Sequence, residues 1–197
     1  MITDFGVLKR DSLVEVARAA LRGGADVIQL RDKTGSDEAL IEIGKKLRRV
    51  TEEAGASLIV NDRVGVAKAI DADGLHLGQE DGALVEAKKI LGEERVYGRS
   101  THSKAQAAAA VKEGFNYIGV GPVFATPTKP GTAPIGLELV RFAAKNISIP
   151  FVAIGGINES TVREVVSAGA RRVAVVRAVM AADDPQRAAN RLLEALP

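Results

Sequence analysis

The chain reads as a single-domain α/β protein of the (β/α)₈ barrel class. A helical stretch that ends near glycine and is followed by a short apolar strand recurs along all 197 residues. The hydrophobic period switches between that of a helix and that of a strand within each unit. The strands are apolar almost throughout, as expected for parallel strands covered on both faces, and nearly all of them end in polar residues.

In chain order, the first element is a stub at Ile2-Thr3, a very short first strand. Either the barrel closes on this short strand or the natural chain starts upstream of Met1. Seven fuller strands are predicted at 25–31, 57–61, 74–78, 95–100, 117–121, 151–155 and 172–177. Helical patterns fall between them at 12–22, 36–54, 64–70, 83–91, 104–112, 137–145 and 159–167, and a last helix covers 185–196. Gly23-Gly24, Gly114 and Gly169 each precede a strand, where glycine takes the left-handed cap conformation that ends the helix before it. Seven strands plus the stub make eight units in one domain, residues 1–197. Periodicity does not decide whether first and last strands meet, so a doubly wound open sheet is the alternative.

Composition excludes several classes. With 27 basic against 25 acidic residues the formal charge is +2, spread without a basic block or aromatic platform, so no nucleic-acid surface is expected. The absence of cysteine rules out disulfides, thiolate nucleophiles and Cys-ligated zinc and fits a reducing compartment, with the cytoplasm expected. No apolar run reaches membrane-span length, and Met1-Ile2-Thr3-Asp4 shows no basic region followed by an apolar run, so neither membrane insertion nor export is expected.

In a barrel of parallel strands the carboxyl ends open on one face, where the following loops build the active site. Those ends supply Gln29, Arg31 and Lys33, then Asn61 and Asp62, then His76, Gln79 and Asp81, then Ser100 and His102. Thr126, Thr128 and Lys129 follow, then Gly155-Gly156, then Val176 and Arg177. Gln29, Arg31 and Lys33 share one side of an extended segment, and the two cations suit a diphosphate, Arg binding bidentately and Lys as a point charge. Asp62 and Asp81 follow neighbouring strands and can face one cation. Their hard oxygens suit Mg²⁺, which takes one or two carboxylates and completes its shell with water and phosphate. Asp81, before Gly82, also fits a helix cap. The proline-rich stretch 121–131 exceeds a minimal turn and reads as a lid carrying threonine hydroxyls and Lys129. Gly155-Gly156 lets backbone amides approach a phosphate where a helix begins. His76 reads as a hydrogen-bonded core histidine, and His102 either touches substrate or lies near a helix start.

Taken together, these stretches resemble the thiamine-phosphate synthase family. The carrying motifs are Gln29-Leu30-Arg31-Asp32-Lys33, Val60-Asn61-Asp62-Arg63, Asp73-Gly74-Leu75-His76-Leu77-Gly78-Gln79-Glu80-Asp81 and Ser100-Thr101-His102. Gly121-Pro122-Val123-Phe124 with Thr126, Thr128 and Lys129, and Ile154-Gly155-Gly156-Ile157, complete the set. The resemblance implies a TIM-barrel transferase that joins hydroxymethylpyrimidine diphosphate to hydroxyethylthiazole phosphate, releasing pyrophosphate. It implies that Gln29, Arg31, Lys33, Asn61, Ser100 and Lys129 hold the diphosphate, with Arg31, Lys33, Ser100 and Lys129 serving the chemistry. Asp62 and Asp81 would hold Mg²⁺, and Thr126, Thr128 and Gly156 the thiazole phosphate. Val176 and Arg177 are read, from their place at the last strand end beside Gly155-Gly156, as further contacts to that phosphate, with a surface pairing of Arg177 to Asp183 or Asp184 as the alternative. Family members usually have a longer first strand, and commonly a serine where Arg177 stands. A homo-oligomer is left open. Two rival readings are a thiazole tautomerase on the same barrel, which carries His where this chain has Pro122, and a non-catalytic barrel that binds a phosphorylated ligand.

Overall fold

The computed structural model describes residues 1–7, 10–128, 131 and 133–197. Seven parallel strands form one curled sheet in sequence order: β1 (Val27–Leu30), β2 (Ser57–Asn61), β3 (Gly74–Leu77), β4 (Val96–Thr101), β5 (Tyr117–Val120), β6 (Phe151–Ile154) and β7 (Val173–Ala174). Helices α1 (Arg10–Arg22), α2 (Asp37–Ala54), α3 (Val64–Ala69), α4 (Leu84–Leu91), α5 (Lys104–Glu113), α6 (Gly136–Asn146) and α7 (Val162–Ser167) alternate with the strands. A single turn, α8 (Arg177–Met180), and a final helix, α9 (Pro185–Glu194), follow β7. All seven predicted strands and eight predicted helices are present. No described helix is long and apolar enough to cross a membrane.

The helix starts and stops follow local chemistry. Ser36, Ser103 and Asp184 accept hydrogen bonds from the third amide of α2, α5 and α9, at 3.3, 3.2 and 2.9 Å, and Pro185 opens α9 where no amide partner is needed. Gly24, Gly114 and Gly169 have φ of 95°, 88° and 104°, a conformation that leaves glycine the fitting residue before β1, β5 and β7.

Most predicted elements are trimmed at their ends, and two of the differences bear on the site. The strand expected over 172–177 is confined to Val173–Ala174, so Arg177 opens α8 and does not close a strand. The last pairing is Ile154 with Ala174; beyond it β6 turns away at Gly155, φ 103°, leaving no ladder to extend. The helix expected over 159–167 begins at Val162, because the preceding residues are held in a side-chain turn. Asn158 Oδ1 accepts from Ser160 N at 2.9 Å, and Asn158 N donates to Thr161 Oγ1 at 3.0 Å.

The stub at residues 1–3 is hydrogen-bonded on two sides. Ile2 forms a parallel bridge to Gln29, with Gln29 N to Met1 O and Thr3 N to Gln29 O both 2.9 Å. On the other side Ile2 N donates to Val175 O, just past β7, at 2.9 Å. Thr3, fully buried, accepts from Arg31 N through its hydroxyl at 2.8 Å.

The outward strand side chains Ile28, Leu30, Leu58, Val60, Leu75, Leu77, Tyr97, Ile118 and Val120 are all buried beneath the helices. This layer is the main core, and α1 packs on both α2 and α9 across the junction of first and last units. At the amino ends of the strands, Asp73 accepts from Arg48 Nη1 at 2.6 Å and from Leu58 N at 2.7 Å, tying α2 and β2 to the start of β3.

Two glycines predict opposite responses to alanine. A Cβ at Gly74 would overlap the carbonyl oxygen of Val96 on the adjacent strand, whereas one at Gly65 in α3 meets nothing within 4 Å. Gly74→Ala is expected to cost about 1–3 kcal/mol through backbone displacement, lowering the melting temperature by about 3–10 °C. Gly65→Ala should raise it, by up to about 1 kcal/mol of helix propensity. Thermal unfolding of the two variants checks both signs.

Candidate active site

Parallel register sets which side chains face inward. Asn61 aligns with His76 and His76 with Gly98; one step on, Ser100 aligns with Gly119 and Gly119 with Val152. Residues aligned in a parallel pair share a face, so these groups converge inside the curl of the sheet. They line a cavity of about 1160 Å³ that reaches from the carboxyl ends of the strands to Asp26, Asn116 and Arg171 at the opposite ends. The room comes from glycine. A Cβ at Gly98 would overlap the Tyr117 ring and crowd His76 Nδ1 at 2.5 Å, and one at Gly119 would sit 3.4 Å from His76 Cε1.

On the β1 to β4 side, the structure brings together every described residue expected to meet a diphosphate or metal. Gln29, Arg31, Lys33, Asn61, Asp62, Asp81 and Ser100 all line the one cavity. Gln29 is 8% exposed, and Arg31 lies 3.7 Å from Asp4, both side chains largely covered. Lys33 is paired with Asp62, and 53% of its side chain remains exposed. Its ammonium can therefore swing to another anion at little cost, since exposed pairs contribute at most about 1 kcal/mol. Asn61 Nδ2 donates to His76 O at 3.1 Å, anchoring the end of β2 to β3.

Asp62 has φ 64°, a left-handed conformation that aspartate and asparagine adopt more readily than most residues. Its amide donates to His76 O at 2.9 Å. Asp81 does not cap a helix: its Oδ2 accepts from Gly78 N at 2.6 Å, closing a tight loop that carries the carboxylate back over β3. The two carboxyls lie within hydrogen-bonding reach of each other. Burial, and then Asp81 alongside, push the Asp62 carboxyl above the ordinary aspartate range against the pull of Lys33. For Asp81 burial also acts upward, but the hydrogen bond with Asp62, the Gly78 amide and the charges of Lys33 and Arg99 outweigh it and leave the group below that range. Among the described residues no three acidic or histidine side chains gather around one point. A divalent cation held by this pair would fill its shell with water and substrate oxygen, which fits Mg²⁺.

Sequence reasoning missed two supports of this region, Arg99 and Tyr117. Arg99 holds the 78–81 loop from the helix side, its Nη2 donating to Gln79 O at 3.2 Å while the guanidinium lies 5.4 Å from the Phe115 ring centroid. Gln79 Nε2 in turn donates to Ser100 O at 2.6 Å. Tyr117, at the start of β5, reaches His76 Nδ1 at 2.9 Å, and His76 Nε2 lies 2.9 Å from Ser100 Oγ. A period-two reading back from Ser100 and Gly119 reaches Gly98 and Tyr117 and would have placed both inside. His76 is the hydrogen-bonded interior histidine expected. His102 precedes Ser103, the N-cap of α5, and its ring contacts Gly121 O at the cavity wall.

On the β5 to β7 side the long loop is less lid-like than its composition suggests. Residues 121–123 are buried, and Val123 N and Phe124 N donate to Ile154 O and Gly155 O at 2.8 and 3.0 Å, extending the pairing with β6. Side chains at Gly155 or Gly156 would collide with Pro122 and Phe124, so the two glycines seat this loop. Thr126 and Thr128 line the cavity beyond it; Lys129 lies outside the described residues. The Gly155-Gly156 turn is not at a helix start, since α7 begins at Val162. Val176 and Arg177 face the same cavity. The Arg177 side chain is exposed and makes no hydrogen bond or ion pair with a described residue; the carboxylate of Asp184, in the segment that follows α8, caps α9.

A family model described as thiamine monophosphate synthase matches residues 1–179. The chain belongs to this family. It is 49% identical over 186 residues to the thiamine-phosphate synthase of Nostoc punctiforme, covering 94% of this chain and 53% of that protein. The thiamine-phosphate synthase of Chloroflexus aurantiacus is 48% identical over 193 residues, 98% of this chain and 89% of that one. The solved thiamine phosphate pyrophosphorylase of Pyrococcus furiosus superposes with a TM-score of 0.89 at 42% identity, covering 98% of this chain and 92% of that one. The chain thus spans about half the length of the Nostoc relative and most of the other two. The motifs that carry the family likeness are the ones that the fold gathers around the cavity.

The Asp62 environment carries a stability prediction. Asn keeps the left-handed preference and relieves the repulsion from Asp81 while losing only an exposed ion pair. Asp62→Asn should leave the melting temperature at neutral pH, without divalent cations, within about 3 °C of the parent, equivalent to about 1 kcal/mol. Thermal scans in low salt test this; a fall of about 10 °C would give Asp62 a structural role.

Proposed function

We propose that the chain is a thiamine-phosphate synthase: a transferase that condenses hydroxymethylpyrimidine diphosphate with hydroxyethylthiazole phosphate to give thiamine phosphate and pyrophosphate. One observation carries the reading: in a chain of this family, two carboxylates, two cations and the Ser100 hydroxyl converge at one end of a cavity whose other wall carries two threonines and an arginine with no ion-pair partner among the described residues. On this reading residues 1–197 act as one cytoplasmic (β/α)₈ catalytic domain, with residues 1–3 in the place of the first strand. Their hydrogen bonds to both Gln29 and Val175 support that count.

Arg31, Lys33, Lys129 and Ser100 would bind the diphosphate, with Gln29 and Asn61 at the pyrimidine end. Asp62 and Asp81 would hold Mg²⁺, which when bound neutralises part of the diphosphate charge. The bond between the pyrimidine methylene carbon and the bridging oxygen breaks with its electron pair leaving on pyrophosphate, and the electron-rich aminopyrimidine stabilises the cation left behind. Cationic side chains already in place around the leaving group lower the cost of that charge separation. The thiazole nitrogen lone pair then forms the new carbon–nitrogen bond. Thr126, Thr128, Gly156, Val176 and Arg177 would hold the thiazole phosphate so that its nitrogen faces the cation. No protein nucleophile is required. Retention of both aspartates, and Pro122 where the tautomerase carries His, favour this reading over an isomerase.

Incubation with both substrates and Mg²⁺, followed by mass detection of thiamine phosphate, tests the assignment; saturable binding without product would point to a non-catalytic barrel. Asp62→Ala and Asp81→Ala should each lower turnover by about two orders of magnitude or more while the fold is kept. Full activity of either variant in a chelator would remove the metal from the scheme.

Arg177→Ser should raise the Michaelis constant for the thiazole phosphate about tenfold, the loss of one charge-assisted bond, and leave that for the pyrimidine diphosphate nearly unchanged. Equal constants for both substrates would assign Arg177 to the surface.

A further inference from the structure

The chain Tyr117, His76, Ser100 runs through the middle of the cavity wall, and no step of the proposed reaction yet uses its first two members. Tyr117 OH lies 2.9 Å from His76 Nδ1, and His76 Nε2 lies 2.9 Å from Ser100 Oγ. Three strands fix the arrangement: His76 on β3, Ser100 on β4 and Tyr117 on β5, with the space between them cleared by Gly98 and Gly119. His76 is 8% exposed, so neither the ring nor its polarity is set by bulk water.

The direction of the two hydrogen bonds follows from the donors available. Burial pushes the Tyr117 phenol well above its ordinary pKa, so it keeps its proton. Among the described residues His76 is the one hydrogen-bond partner of that hydroxyl. If Nδ1 carried a proton, it would occupy the phenol oxygen and leave the phenol proton with no acceptor among the described residues in a half-buried place, which is the less satisfied arrangement. The satisfied arrangement has Tyr117 donating to Nδ1. Neutral imidazole then carries its proton on Nε2, and that N–H donates to Ser100 Oγ. With its oxygen occupied as an acceptor, Ser100 directs its own proton into the cavity, where no described residue accepts it.

We propose that Tyr117 and His76 are positioning residues that fix the polarity of Ser100, holding its hydroxyl as a donor toward a phosphate oxygen of the bound substrate. This deepens the synthase reading and rests on it where it places a diphosphate at Ser100. Each bond in such a chain polarises the next, so the serine hydroxyl is a stronger donor than an isolated one, and most so when negative charge builds on the departing pyrophosphate. The effect therefore falls on turnover more than on substrate binding.

The chain has only two histidines, His76 and His102, so imidazole nitrogen-15 NMR of the free protein can be assigned by comparison with His102→Gln. The expected spectrum shows His76 neutral at pH 7 with the proton on Nε2, shifting to a tautomer mixture in Tyr117→Phe. A proton on Nδ1, or imidazolium, overturns the proposal whatever the activity. In steady-state assays Tyr117→Phe should lower kcat about tenfold with a smaller change in KM, and should cost nothing further in a Ser100→Ala background. A loss that is the same with and without Ser100 also overturns it, because a purely structural role would give that result. If the wild-type protein forms no product, the synthase reading fails separately. Calorimetry with inorganic pyrophosphate and Mg²⁺ then decides: weaker binding in Tyr117→Phe only when Ser100 is present upholds the relay, and unchanged binding refutes it.

Discussion

The site depends on the shared phase of seven parallel strands. In a parallel pair the aligned residues point to the same face, so an unbroken register from β1 to β7 brings every second side chain onto one inner surface. Closed barrels of parallel strands ordinarily fill such an interior with branched side chains in layers. Here β4 and β5 present Gly98 and Gly119 where such a layer would stand, and the volume they release is taken partly by the Tyr117 ring and the His76 imidazole. The remainder is the cavity. Polar groups of β2, β3 and β4 can therefore meet across the interior while the hydrophobic core is moved outward, between sheet and helices.

The architecture was legible because each unit repeats the same physical problem, and the residues that solve it are local. Glycines 24, 114 and 169 mark left-handed helix ends, and Ser36, Ser103 and Asp184 mark helix starts, with no reference to distant parts of the chain. What failed to be legible was non-local. Val175-Val176-Arg177 has the composition of a strand, but a strand needs a partner, and β6 has already turned away at Gly155. The segment 121–124 reads as loop because of its glycine and proline, yet its backbone continues the pairing of β5 with the end of β6. Tyr117 reads as an ordinary strand former, and only the register with Gly98 shows that its hydroxyl enters the interior. Asp62 and Asp81 were legible as a pair because adjacent strand ends are neighbours in any such fold. The left-handed backbone at Asp62 and the loop closed by Gly78 and Asp81, which aim the carboxylates, were not.

Electrostatics distinguishes the two walls of the cavity. The β1 to β4 wall is internally balanced: Arg31 lies near Asp4, Lys33 pairs with Asp62, and Asp81 feels both Lys33 and Arg99. Balance of this kind keeps mutually repelling groups in place before a ligand arrives, and the most exposed cation, Lys33, is the one held most weakly. The opposite wall is not balanced. Its hydroxyls are neutral, and among the described residues Arg177 brings to the carboxyl-end rim of that wall a positive charge with no ion-pair partner.

On the proposed synthase reading, this asymmetry matches what a condensation of two anionic substrates demands. A diphosphate that must leave is best met by many charges whose attraction grows as the leaving group gains charge, together with a cation that departs or relaxes with it. A monophosphate that only anchors its molecule needs one firm contact and no gain during the reaction, because binding it more tightly in the transition state would accelerate nothing. In the proposed scheme the reacting carbon and nitrogen must approach without obstruction, and the wall between the two sides of the cavity carries Ser100 and Gly119. Side chains this small leave that stretch open. On the same reading Ser100 is the hydroxyl offered to the departing group, so the orientation of its single proton would bear on turnover.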